Sequence, residues 1–233
     1  MDIELDNNTL NGYRNMDNIN SKIPNRYTWL GIVVSIIGIT SVNLIFKSLF
    51  GGQLNDWQMV IREVVTLSLV AALLFYILPK EGADFESIGL HGRHWLKSLL
   101  WVIPLIMVSV LGILGCLEIA KLIGWKFGES TSFDLLSKPV IALITVRAGI
   151  AEEIFTRGFL LERFTSITGK KWKAFLLSTI PFGLLHYQQG YAGILVATVA
   201  GAILALFYFW KRDLKTNIIA HFLIDFVPNV FLN

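Results

Sequence analysis

The chain consists largely of apolar runs of about twenty residues, separated by short polar or charged segments. A helix of that length crosses a bilayer core of about 30 Å. The pattern therefore predicts an all-α, polytopic membrane helix bundle with seven transmembrane helices, while six or eight also fit. The second span is the least certain, because its uncharged part covers only residues 64–78. The predicted helices cover 27–46, 57–78, 96–117, 139–168, 174–187, 191–210 and 216–231.

Residues 1–26 differ from the rest of the chain, because Asn, Asp and Ser dominate and few apolar groups are present. Such a segment cannot bury enough apolar surface to fold. We predict a disordered cytoplasmic N-terminal tail over 1–26 and a single membrane domain over 27–233. The tail has no early apolar core, so we do not expect it to act as a signal peptide.

Composition supports the membrane assignment. Of the 233 residues, 54% are hydrophobic and 16% are charged, against about 45–50% and about 25% in soluble domains. The net charge of +3 does not indicate nucleic acid, because Lys and Arg lie between the apolar runs, where they face anionic lipid. Their bias towards alternate loops predicts a cytoplasmic N-terminus and an extracytoplasmic C-terminus. The Asn-rich start is typical of an AT-rich bacterial gene, so a bacterial cell membrane is the expected location. Nothing in the sequence indicates the oligomeric state.

Several polar residues lie inside apolar runs, where each needs a partner, a water-filled cavity or a function. Glu153 and Arg157 are four residues apart, in the orientation that favours an ion pair. Glu152 lies about 100° round the helix and is left without that partner. An unpaired buried carboxylate suits a general base or a metal ligand. The full set is Arg147, Glu152, Glu153, Arg157, His186, His221 and Asp225.

The two histidines of this set have helical partners of their own. Phe182 and His186 are four residues apart, as are His221 and Asp225. Three helices thus offer Glu152, His186 and the pair of His221 and Asp225 to a common interior. One Glu and two His could ligate zinc with water in the open position. Without a metal, Glu152 and His186 could activate water while His221 and Asp225 stabilise an oxyanion.

These segments resemble the CAAX prenyl protease and bacteriocin-processing (CPBP, or Abi) family of intramembrane proteases. The three motifs are Glu-Glu-x-x-x-Arg at 152–157, Phe-x-x-x-His at 182–186 and His-x-x-x-Asp at 221–225, and they occur in the order of the family. The resemblance covers a core of about 135–230. It implies that the essential groups are Glu152, His186 and His221. It implies supporting roles for Glu153, Arg157 and Asp225. We predict Asp225 as a catalytic residue beside the three essential groups, and Phe182 as a further supporting residue.

The resulting hypothesis is an endopeptidase that hydrolyses a membrane-associated peptide or protein, with zinc or with glutamate-activated water alone. The alternative is a non-catalytic bacteriocin-immunity or scaffold protein of the same fold. One geometric difficulty stands against the first. On straight helices of ~1.5 Å per residue, His221 lies roughly 7–9 Å deep, Glu152 roughly 15 Å and His186 about 18–20 Å.

The remaining charges within or beside the apolar runs are expected to be peripheral. Arg147 is predicted to lie near the outer interface or to bind a carbonyl. Arg62 and Glu63 are predicted to be interfacial, because they stand near the start of the second span.

Overall fold

The computed structural model describes residues 24–92, 95–128 and 135–231. The predicted tail lies almost entirely outside these ranges. Within them the regular structure is helical and no strand occurs, so the all-α prediction is confirmed. Seven long helices are present in the described chain, as the apolar runs predicted.

The helices follow the predicted runs closely. They are α1, Arg26–Phe50; α2, Asp56–Glu81; α3, Trp95–Leu122; α4, residues 138–168; α5, Lys171–Leu184; α6, Gly190–Lys211; and α7, Leu214–Phe231. Two short 3-10 helices, Phe85–Ile88 and Tyr187–Gln189, lie in the connections. Asn25 and Asn55 begin α1 and α2, since each side chain accepts hydrogen bonds from backbone amides of the first turn. Gly169, in the left-handed conformation, ends α4.

The helix α4 changes its hydrogen-bonding pattern in the middle. It is α-helical over Lys138–Glu153, π-helical over Ile154–Leu160 and α-helical again over Leu161–Thr168. The π-helical part begins directly after Glu153. Such segments are rare and are frequent at functional sites.

Four helical segments are long and apolar enough to cross a membrane by length and composition: Arg26–Phe50, Asp56–Glu81, Trp95–Leu122 and Tyr187–Lys211. α3 is the most lipid-like of them. Its Leu96, Leu100 and Leu111 expose 79%, 74% and 68% of their surface, as expected of side chains that face acyl chains. The other three helices are shorter or carry the buried charges described below.

The core of the bundle forms around α4, which packs against α2 on one side and α7 on the other. Phe155 and Phe159 of the π-helical part are fully buried among residues of α2 and the first 3-10 helix, such as Leu73 and Ile88. The approach of α4 to α7 depends on Gly149. A Cβ atom there would stand 2.9 Å from Phe222 Cβ and 3.0 Å from the Ile218 carbonyl oxygen.

Candidate active site

Glu152 lies between the two predicted histidines. Its Oε2 atom is 4.0 Å from His186 Nε2 and 4.0 Å from His221 Nε2. The three side chains are partly buried, with 16%, 24% and 10% of their surface exposed. The structure therefore brings together residues of α4, the α5–α6 connection and α7 at a site that solvent can still reach.

The depth difference expected from straight helices does not occur. α5 ends at Leu184, three residues before the predicted end, and His186 lies in the turn before the 3-10 helix Tyr187–Gln189. A residue in a turn does not follow the rise of 1.5 Å per residue on which the expected depths depended. Glu152 lies next to Glu153, which is the last residue of the first α-helical part of α4. The π-helical segment that follows changes the rise of the helix.

His186 is oriented by a backbone carbonyl of α5. Its Nδ1 lies 2.8 Å from the carbonyl oxygen of Phe182. A carbonyl oxygen only accepts, so Nδ1 carries the proton and donates it. In the neutral ring Nε2 is then a hydrogen-bond acceptor, and it is the atom that faces Glu152. The spacing of four residues in the Phe-x-x-x-His motif is what places the carbonyl within reach.

His221 is held by carboxylates on both sides. Its Nδ1 donates to Glu153 Oε1 at 2.8 Å, and its Nε2 lies 3.5 Å from Asp225 Oδ2. The contact with Asp225 is too long for a strong hydrogen bond. Nε2 of His221 therefore faces two carboxylates, those of Asp225 and Glu152, and forms a strong hydrogen bond with neither. Asp225 is the most exposed member of the site, with 37% of its side chain exposed.

The predicted ion pair of Glu153 and Arg157 is present, with Arg157 Nη1 2.6 Å from Glu153 Oε1. Both side chains are almost completely buried. Arg157 also donates to the carbonyl oxygen of Gly201 at 3.0 Å, and its guanidinium lies 4.4 Å from the centre of the Phe182 ring. Glu153 thus joins the pair to His221, and Phe182 joins it to the segment that carries His186.

One buried member of this network was not anticipated. Asn217 of α7 is fully buried, and its Nδ2 donates to Glu153 Oε2 at 3.1 Å and to the Leu204 carbonyl oxygen at 2.9 Å. The sequence did contain a signal for it. Asn217 precedes His221 by four residues, as His221 precedes Asp225, so the three share one face of α7.

The prediction that Glu152 is unpaired is wrong, because Arg147 Nη1 donates to its Oε1 at 3.1 Å. Arg147 is buried in the bundle and binds carboxylates, since its Nε also donates to Glu63 Oε2. Glu63 is fully buried as well, and its other oxygen accepts from Arg62. The depth of these residues in the membrane stays a prediction. The partners come from other parts of the fold, which spacing along one helix does not show.

The predicted zinc ligands are farther apart than a bound zinc ion requires. Tetrahedral ligands at about 2.0–2.1 Å from the metal stand roughly 3.3 Å from one another. Oε2 of Glu152 is 4.0 Å from both Nε2 atoms, so these side chains are too far apart as they stand. Among the described residues, no three His, Cys, Asp or Glu side chains are arranged to hold a metal ion. Zinc binding stays a prediction, and the hydrolysis can be described with the side chains alone.

Fold and site together define the class: an integral membrane helix bundle in which a carboxylate and two imidazoles meet inside the core. Residues 135–227 match the family described as Type II CAAX prenyl endopeptidase Rce1-like. This part of the chain is therefore similar to the family that the three motifs predicted, and the match supports a protease at the family level. The matched segment includes Glu152, His186, His221 and Asp225. No significant match to a curated protein or to a solved structure was found.

Proposed function

We propose that this protein is an intramembrane endopeptidase in which Glu152 activates water for attack on a peptide bond. The observation that carries the proposal is the position of Glu152 Oε2, 4.0 Å from Nε2 of both histidines in a partly buried site. A carboxylate held by one oxygen, with its other oxygen directed at two imidazoles, has the composition of a hydrolytic centre. The family match over residues 135–227 supports the same class of reaction.

In the proposed reaction Glu152, His186 and His221 each have a separate role. Water hydrogen-bonds to Glu152 Oε2 and to the acceptor Nε2 of His186. Glu152 takes one proton as the water oxygen bonds to the carbonyl carbon of the substrate. His221 donates from Nε2 to the oxyanion that forms, and removal of charge stabilisation of this kind typically costs about 10²–10³ in rate. Glu152 then gives its proton to the leaving amine as the C–N bond breaks.

The carboxylates of Glu153 and Asp225 act through His221 in this scheme. Glu153 accepts from Nδ1 of His221 and so directs Nε2 at the site. Asp225, at 3.5 Å from Nε2, stabilises the protonated ring that donates to the oxyanion. Arg157, Phe182 and Asn217 support Glu153 and the segment of His186, and none of them needs to touch the substrate.

The proposed substrate is a membrane-associated peptide or protein, such as a prenylated C-terminus, a peptide pheromone or a bacteriocin leader. The prenylated C-terminus corresponds to the substrate class in the description of the matched family. The proposed location is a bacterial cell membrane with a cytoplasmic N-terminus. The ends of α5 and α6 that carry Lys170, Lys171, Lys173 and Lys211 would then face the cytoplasm.

The test compares cleavage products in membranes that contain the wild-type protein or Glu152→Gln. N-terminal peptides are quantified by mass spectrometry. Glu162→Gln is the matched control, because Glu162 is also a partly buried, arginine-paired glutamate of α4 but lies away from the site. We expect products that require Glu152 and persist in the control. Products that persist in Glu152→Gln, or the absence of products with the wild type, would refute proteolysis and favour the scaffold or immunity alternative.

A second measurement addresses the metal. Zinc held by Glu152, His186 and His221 is the alternative means of activating the water. Given the spacing of the donors, we expect cleavage to persist in a strong zinc chelator. Loss of cleavage that added zinc restores would instead establish metal dependence.

A further inference from the structure

The buried charges beside Glu152 extend beyond the three motifs. Arg147 lies five residues before Glu152 on α4, with 7% of its surface exposed. Its Nε donates to Glu63 Oε2 of α2, and its Nη1 donates to Glu152 Oε1. The guanidinium thus connects the candidate base to a helix that lies outside the segment matched by the family.

Glu63 fixes the position of Arg147. Glu63 is fully buried and both of its oxygens are in use, one by Arg62 and one by Arg147. A guanidinium is planar and presents its donors in a rigid fork, so binding one edge determines where the other edge points. Glu63 shares its single negative charge between Arg147 and the partly exposed Arg62, so Glu152 completes the charge balance around Arg147. Charge balance alone, however, does not determine which oxygen of Glu152 faces the site.

The contact does determine how Glu152 faces the site. With Oε1 held by Arg147 at 3.1 Å, rotation of the carboxylate is restricted and Oε2 is the oxygen that faces both histidines. An effective general base has to be held in one orientation relative to the water it deprotonates. Nothing else in the described residues donates a side-chain hydrogen bond to Glu152.

We infer that Arg147 is a positioning residue for the catalytic base and that Glu63 holds Arg147 in place for this purpose. The inference rests on the proposed function. It assigns to α2, through Glu63, a part in the chemistry of a site that otherwise belongs to α4, the α5–α6 connection and α7.

The experiment measures kcat and KM separately, with an internally quenched farnesylated peptide ending in Cys-aliphatic-aliphatic-X as the probe. The variants are Arg147→Gln, Arg147→Lys and the double variant Glu63→Gln with Arg147→Gln. Arg163→Gln is the control, because Arg163 is a buried arginine of the same helix that pairs with Glu81 of the same partner helix at 2.8 Å. Thermal unfolding is recorded for each variant. If the wild type does not cleave this peptide, rates are taken from the Glu152-dependent products in membranes.

We expect Arg147→Gln to lower kcat by about 100-fold, the effect of a displacement of about 1 Å at a catalytic group, with little change in KM. Arg147→Lys should recover part of the loss, since an ammonium keeps the charge but cannot bridge both carboxylates. The double variant distinguishes a role of Arg147 in positioning Glu152 from a purely structural role. It removes one buried cation together with one buried anion, so we expect its melting temperature to return towards the wild type while kcat stays low.

Two results would overturn the inference while leaving the proposed function intact. One is recovery of kcat in the double variant together with its stability. The other is an equal loss of kcat in Arg147→Gln and Arg163→Gln in proportion to their loss of stability. If wild type and Glu152→Gln cannot be distinguished at all, the proposed function fails, and the inference fails with it.

Discussion

The substitution Gly149→Ala tests whether the close approach of α4 and α7 positions the site. The added methyl group would stand 2.9 Å from Phe222 Cβ, and 3.0 Å from both the Ile218 carbonyl oxygen and the Phe222 backbone nitrogen. Two of these three atoms belong to the backbone of α7, so a change of side-chain rotamer cannot relieve the contact. The helices have to move apart.

The structure gives the size of that movement. Carbon atoms in favourable contact are about 3.5–4.0 Å apart, so relief from 2.9 Å requires a separation of roughly 0.6–1.1 Å. Glu153 lies one turn beyond Gly149 on the same face of α4. Its hydrogen bond to His221 Nδ1 would lengthen from 2.8 Å to roughly 3.4–3.9 Å, outside the ordinary range for such bonds. His221 would also move away from Glu152.

We expect Gly149→Ala to lower kcat by about 100-fold through this misplacement and to lower stability by about 1–3 kcal/mol through overpacking. Cleavage of the farnesylated peptide and thermal unfolding in detergent measure the two effects. Gly115→Ala in α3 is the control, because a Cβ at Gly115 meets nothing within 4 Å. Gly115→Ala gains the same helix propensity as Gly149→Ala but introduces no steric clash. If both variants keep the wild-type rate and melt at the same temperature, the reasoning from helix separation is wrong.

Two further outcomes are expected. Asn217→Ala removes the donor to Glu153 Oε2 and to the Leu204 carbonyl oxygen, and it should lower stability by about 1–3 kcal/mol in a denaturation series; an unchanged midpoint would contradict this. His91 has a pKa below its ordinary 6.5, because burial disfavours the charged ring and Arg212 repels it. As the pH falls, His91 is therefore protonated in the unfolded chain at a higher pH than in the folded protein. The free energy of unfolding consequently decreases as the pH falls from 6.5 towards the lowered pKa. The melting temperature of the wild type should fall more steeply below pH 6.5 than that of His91→Gln, and parallel curves would exclude a contribution from His91.

The helices could be predicted from the sequence because their determinants are local. Between Gly190 and Lys211 no charge interrupts the apolar run, and α6 has these residues as its ends. Helix ends that depend on packing were less accurate: α5 was expected to include His186, yet it stops at Leu184. The π-helical segment within α4 has no signal in the pattern of apolar positions.

The site was predictable only in part, for a related reason. The ordered motifs identified Glu152, His186 and His221, and the spacing of four identified the pair of Glu153 and Arg157. The partner of Glu152 was missed because Arg147 is five residues away, outside the spacings that place side chains together on an ideal α-helix. Glu63 was missed because it is 84 residues from Arg147. Contacts between distant segments depend on the tertiary fold, which periodicity along one helix does not specify.

The buried arginines of α4 also bear on how the protein is made. Arg147 and Arg163 pair with Glu63 and Glu81, both on α2, so each cation follows its anion in the chain. During synthesis α2 enters the membrane before α4. A lone arginine costs up to about 2.5–3.5 kcal/mol when it lies at the centre of the bilayer, and we expect glutamates synthesised earlier to reduce that cost. Moving α1 and α2 to the C-terminal end would leave the same residues in the mature protein but would deprive α4 of its partners at the moment of insertion. The order of the helices thus matters to biogenesis as well as to the finished fold.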